Sequence, residues 1–183
     1  MLVFFIYVGL ETTLVNFLPS IFLVKMESSS STAALTVTAF WLTMVIGRIF
    51  AGVVAEKMTY IRFLAVTCAG SLISFIFFAL NGTIWGGFTI VLFLGLFMAG
   101  IFAIALIIAN QLIPGMTERT TSLLIASGGL GGALLPLGIG WTMDHFSVEV
   151  TLWSFAIAML VSLLLIMYSR RWRSLSSNEL GSD

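Results

Sequence analysis

Charge is scarce in this chain. Only 9% of its 183 residues are charged, the eight acids and eight bases cancel to a net charge of zero, and there is one histidine and one cysteine. The zero balance leaves no basic surface for nucleic acid, so no nucleic-acid partner is expected. The lone Cys68 cannot close an internal disulfide and says nothing of redox compartment. So few ligating side chains give no metal site, and no cofactor is expected. Long polar segments are also lacking, apart from residues 25–31 and the end from 174 to 183, which reads as a disordered tail. That leaves no room for an ATPase, a receptor domain or a soluble catalytic domain.

What is present is apolar. With 60% hydrophobic residues and a mean hydropathy of +1.13, a soluble domain is excluded. A membrane-spanning helix needs roughly 20 mostly apolar residues. Six stretches meet that length, at residues 2–24, 33–55, 62–81, 86–110, 119–141 and 149–169. The expected fold is an all-α membrane protein, with residues 1–170 as one six-helix transmembrane domain and 171–183 as a cytoplasmic tail. The first span is too long for a signal-peptide core and lacks a charged leader, so it reads as a retained helix. If helix 1 starts in the cytoplasm, Arg48, Lys57, Arg62, Arg119, Arg170, Arg171 and Arg173 fall in or beside cytoplasmic segments and only Lys25 lies outside. The expected location is the cell membrane, multi-pass, with both termini cytoplasmic. The cluster Arg170, Arg171, Trp172 and Arg173 reads as a lipid-headgroup anchor, and Asn81-Gly82-Thr83 as a turn.

Ionisable residues inside a span are costly and mark function. Glu11 stands about 15 Å along helix 1, near the midplane. A carboxylate there must face protein or water, where it can exchange a proton or accept hydrogen bonds from a hydroxyl-rich ligand. Tyr7 is one turn before it on nearly the same face, and Thr12 and Asn16 share an adjoining stripe. The arc of Tyr7, Glu11, Thr12 and Asn16 reads as a binding wall, with a polar clasp onto a neighbouring helix as the structural alternative. Trp41 on helix 2 suits stacking on a sugar ring and equally an interfacial belt. Gly95, Ala99 and Ala103 on helix 4 suit close packing, and Asn110 and Gln111 suit caps or gate contacts at its end. Helix 5 is interrupted by Ser127-Gly128-Gly129-Leu130-Gly131-Gly132 and by Pro136, which fits a bendable helix or tight static packing. An intramembrane serine protease is excluded. Ser127 and His145 lie 18 residues apart on one helix, about 27 Å, whereas a working pair needs roughly 3 Å. Asp144 and His145 read as a surface pair in an outer loop.

Between helices 2 and 3 run Gly52, Glu56 and Lys57, a glycine followed four and five residues later by an acid and a base. This resembles the short-loop signature of the major facilitator superfamily, although Thr59 stands where the signature's next glycine would be. The stretch Tyr7-Val8-Gly9-Leu10-Glu11-Thr12 through Asn16-Phe17-Leu18-Pro19-Ser20 is similar to the seventh helix of bacterial glucose/mannose–proton symporters, of the fucose–galactose–glucose symporter group. Phe40-Trp41, Gly47-Arg48, Ala99-Gly100-Ile101-Phe102, the run from Thr121 to Ser127 and Gly131-Gly132-Ala133 extend the resemblance over nearly the whole chain. Relatives commonly carry proline after the Gly-Ile-Phe, where this chain has Ala103, so a straighter fourth helix is expected.

The resemblance implies the carboxyl-terminal six-helix half of a twelve-helix transporter that moves a hexose with a proton by alternating access. It implies an amino-terminal six-helix half as partner, fused or separate, together with the lipid bilayer, a sugar and a proton. Glu11, Asn16, Thr12, Tyr7 and Trp41 would bind substrate, while Arg48, Gly52, Glu56 and Lys57 would gate the cytoplasmic face. Met1 falls almost inside helix 1, which raises the alternative of an inactive truncated remnant or a non-transporting membrane partner protein.

Overall fold

The computed structural model describes residues 1–113 and 115–179; the expected tail lies partly outside them. Among the described residues there are seven α-helices: α1 Leu2–Lys25, α2 Ser30–Lys57, α3 Tyr60–Leu80, α4 Ile84–Met98, α5 Ile101–Leu112, α6 Thr117–His145 and α7 Val148–Glu179. Counting Ile84–Leu112 as one, six segments of 21 to 29 residues are long and apolar enough to cross a membrane. Short polar turns separate them because the chain must reverse where water can satisfy its backbone. Ser29 caps α2 by accepting from the Thr32 amide, and Thr83 caps α4 by accepting from the Gly86 amide. At the same end of the bundle, Lys25 Nζ donates to the Phe78 and Ala79 carbonyls, fastening α1 to the end of α3.

α1 runs through the middle. Its Leu10, Leu14, Leu18, Ile21 and Phe22 are fully buried, and it packs against α6, α7, α2 and the α4–α5 segment. The tightest approach is between α1 and α6. A Cβ placed on Gly131 would run into the backbone carbonyl of Phe5, so only glycine fits there. α3 and α7 form a second close pair around stacked Phe75 and Phe155, whose centroids are 5.4 Å apart. The outer surface is apolar almost everywhere, with Ile49, Leu80 and Leu137 68–70% exposed. A soluble protein does not tolerate such a surface, and a lipid-facing one requires it.

The fourth span is not one unbroken helix: although Ala103 stands where proline was looked for, Ala99 and Gly100 interrupt the helix between α4 and α5. Proline is unnecessary because the break has other supports. Gly100 packs where a Cβ would come within 2.7 Å of the Phe63 ring and 2.8 Å of Ala51. The Tyr7 hydroxyl donates to the Met98 carbonyl at 2.8 Å, taking up an acceptor at the interruption. Asp144 and His145 also differ from expectation. α6 continues through His145, so the pair occupies its last turn, with His145 stacked on Trp141.

Candidate functional site

The interruption in the fourth span lies in one wall of a cleft. α1 supplies Glu11 and Thr12, α2 supplies Arg48 and Gly52, and the α4–α5 segment supplies Ala103 and Phe102. The cleft encloses about 590 Å³. Glu11, Thr12 and Arg48 are its polar side chains; the rest of the lining is apolar or glycine. Phe102 is held edge-to-face by Phe4, with centroids 5.1 Å apart. An apolar wall facing a narrow polar edge suits a small polar ligand that also carries C–H surface.

Glu11 and Arg48 form the one ion pair among the described residues, with Arg48 Nη2 3.7 Å from Glu11 Oε1. The Glu11 side chain is 14% exposed and that of Arg48 53%, so the carboxylate lies in the wall and the guanidinium stands over it. The sequence reading grouped Arg48 with the cytoplasmic gate. It stands nine residues before the end of α2, from 48 to 57, which is roughly 14 Å inside the helix. Glu11 lies nine residues after the start of α1 at the same end of the bundle. α1 and α2 run antiparallel, so equal distances from that end bring the two charges level. Those matched depths were the signal that could have paired them in the sequence.

The other arc residues divide. Thr12 lines the cleft beside Glu11. Asn16, one turn farther along, is exposed. Tyr7 is buried and its hydroxyl is held by Met98, so it braces the helix break rather than facing the cleft. Trp41 stands seven residues before Arg48 on nearly the same face of α2, partly exposed and edge-to-face with Phe40. Because the helices are antiparallel, Asn16 and Trp41 lie to the same side of the ion pair.

Arg48, Gly52 and Glu56 follow one another at four-residue spacing, a stripe from the cleft to the end of α2. A Cβ on Gly52 would meet nothing within 4 Å, so no neighbour within the described chain demands glycine there. Glu56 and Lys57 are exposed and form no ion pair among the described residues. Near that end, Asn110 on α5 and Thr121 on α6 exchange hydrogen bonds of 3.1 and 3.3 Å, a cross-helix tie rather than a cap. Ser127 Oγ donates to the Met1 carbonyl, while His145 Nδ1 contacts the Trp141 carbonyl at the far end of α6.

The chain matches the family model of the Major Facilitator Superfamily over residues 1–180. It is similar to the Glucose/mannose transporter GlcP of Bacillus subtilis (strain 168), with 33% identity over 156 residues, 81% of this chain and 36% of that protein. The chain thus spans little more than a third of the length of this relative. A membrane-length six-helix bundle, a polar pair in its middle and a family match over nearly every residue agree: the chain belongs to the major facilitator superfamily.

Proposed function

We propose that this chain is the carboxyl-terminal six-helix half of a sugar transporter, moving a hexose with a proton by alternating access. The single observation that carries the reading is the Glu11–Arg48 pair facing a cleft at mid-bundle depth. Two charges held inside a span face water or a ligand, and this cleft has the volume for a pyranose with part of its water. Similarity to a glucose/mannose transporter supports a hexose as the ligand. Glu11, Thr12, Asn16 and Trp41 make the sugar-facing edge, with Tyr7 bracing the wall behind them. Arg48, Gly52, Glu56 and Lys57 form the stripe that gates the end of α2. Glu56 and Lys57 are left to engage an amino-terminal six-helix half, fused or separate. The protein sits in the cell membrane with both termini cytoplasmic, as the distribution of basic residues supports.

The test is uptake of labelled D-glucose by a bacterial strain that lacks hexose transport and produces the protein as its source makes it. Glu11→Gln is expected to lower the initial rate at least tenfold at equal membrane level, and a protonophore to abolish accumulation. Glucose uptake by Glu11→Gln at the unsubstituted rate would exclude Glu11 from the site.

A further inference from the structure

The ion pair is loose. Its closest approach of 3.7 Å exceeds hydrogen-bond length. The Tyr7 hydroxyl reaches both the Met98 carbonyl, at 2.8 Å, and Glu11, and its single hydrogen can serve only one of them. Arg48 Nη2 contacts the Met44 sulfur at 3.3 Å, a weak acceptor. Two charged groups thus face one opening with most of their hydrogen-bonding capacity unfilled. A carboxylate only accepts and a guanidinium only donates. The group that answers both is a hydroxyl, which donates to one while accepting from the other. Two neighbouring hydroxyls can span the pair without separating the charges.

The C–H face of a sugar fits the apolar side formed by Phe102, Ile104 and Ile107.

We propose that Glu11 and Arg48 form a bridging subsite that clamps two neighbouring hydroxyls of one sugar. Arg48 is then a ligand-contacting residue as well as a member of the gate stripe. This deepens the hexose reading and rests on it.

The test compares competition by D-glucose and its monodeoxy analogues against labelled D-glucose uptake. It is run on the unsubstituted protein, Arg48→Gln and Arg48→Lys at matched membrane levels. In the unsubstituted protein at least one deoxy analogue is expected to compete about tenfold to a hundredfold more weakly than D-glucose, the range for hydrogen bonds to charged groups. Arg48→Gln should weaken D-glucose by a similar factor while leaving that deoxy analogue nearly unchanged, so the discrimination collapses. Arg48→Lys should retain part of it, since an ammonium donates without the planar fork. If Arg48→Gln does not accumulate in the membrane, Arg48→Lys carries the test: a narrowed ratio supports the subsite and an unchanged ratio overturns it. Equal loss for every sugar, with the ratio intact, makes Arg48 a gate residue only and overturns the subsite while leaving the hexose reading standing. No saturable hexose uptake by the unsubstituted protein overturns both.

Discussion

Gly131→Ala and Gly129→Ala, two residues apart on α6, should have opposite effects on stability. The Gly131 Cβ would press into the Phe5 carbonyl of α1, a backbone atom that cannot swing aside as a side-chain end can. Accommodating it means moving α1 and α6 apart at their closest point, where Val8 and Leu135 also pack across the interface. Overpacking of this kind costs about 1–3 kcal/mol, and contact with backbone places this site near the top of that range. Alanine returns at most about 1 kcal/mol of helix propensity, for a net loss near 2 kcal/mol. A Cβ on Gly129 meets nothing within 4 Å, so only the propensity gain of at most about 1 kcal/mol remains. The two variants should therefore differ by about 3 kcal/mol, or roughly 6–12 °C in thermal midpoint for a chain of this size. Thermal unfolding of the purified protein in detergent, followed by its monodisperse fraction, reads the difference directly. Midpoints within about 1 °C of each other would refute the claim that α1 and α6 meet backbone to backbone.

Tyr7→Phe removes the hydroxyl that satisfies the Met98 carbonyl and should lower stability by about 1–3 kcal/mol, measured in the same melt. It should also speed hydrogen exchange in residues 99–104, because the helix interruption loses its brace. Asn110→Leu removes the tie to Thr121 and should speed exchange at the start of α6, with a stability loss of about 1 kcal/mol.

The six spans were legible because lipid demands long apolar runs, and no soluble alternative accommodates them. The turn at Asn81 was legible for the same reason: a polar break between two such runs must reverse the chain, and its Asn81 side chain folds onto the Thr83 carbonyl. The interruption at Ala99–Gly100 was not. Proline was the expected cause of a kink there, and its absence read as straightness. The supports come instead from Tyr7, Phe63 and Ala51 on three other helices, which no local pattern reveals. The place of Glu11 inside the bundle was signalled by burial cost, and that of Thr12 beside it in the cleft wall by helical spacing. Tyr7 shares their face, yet the neighbouring carbonyl of Met98 captures its hydroxyl, so helical phase did not fix its role. Arg48 was assigned by its nearness to a loop signature, whereas its depth along α2 and the antiparallel course of α1 set it against Glu11.

A sugar in the cleft beside Glu11 would shield the residues of its wall. Ala103 is exposed in its wall and Cys68 is 1% exposed, so Ala103→Cys adds a thiol whose labelling is read against that of the unsubstituted protein. The measurement is the rate of Ala103→Cys labelling by a membrane-permeant maleimide, with D-glucose or L-glucose present, in membranes holding the protein as its source makes it. D-glucose is expected to slow labelling several-fold in a saturable way, and L-glucose is not. Equal labelling rates with the two enantiomers at every concentration would contradict it.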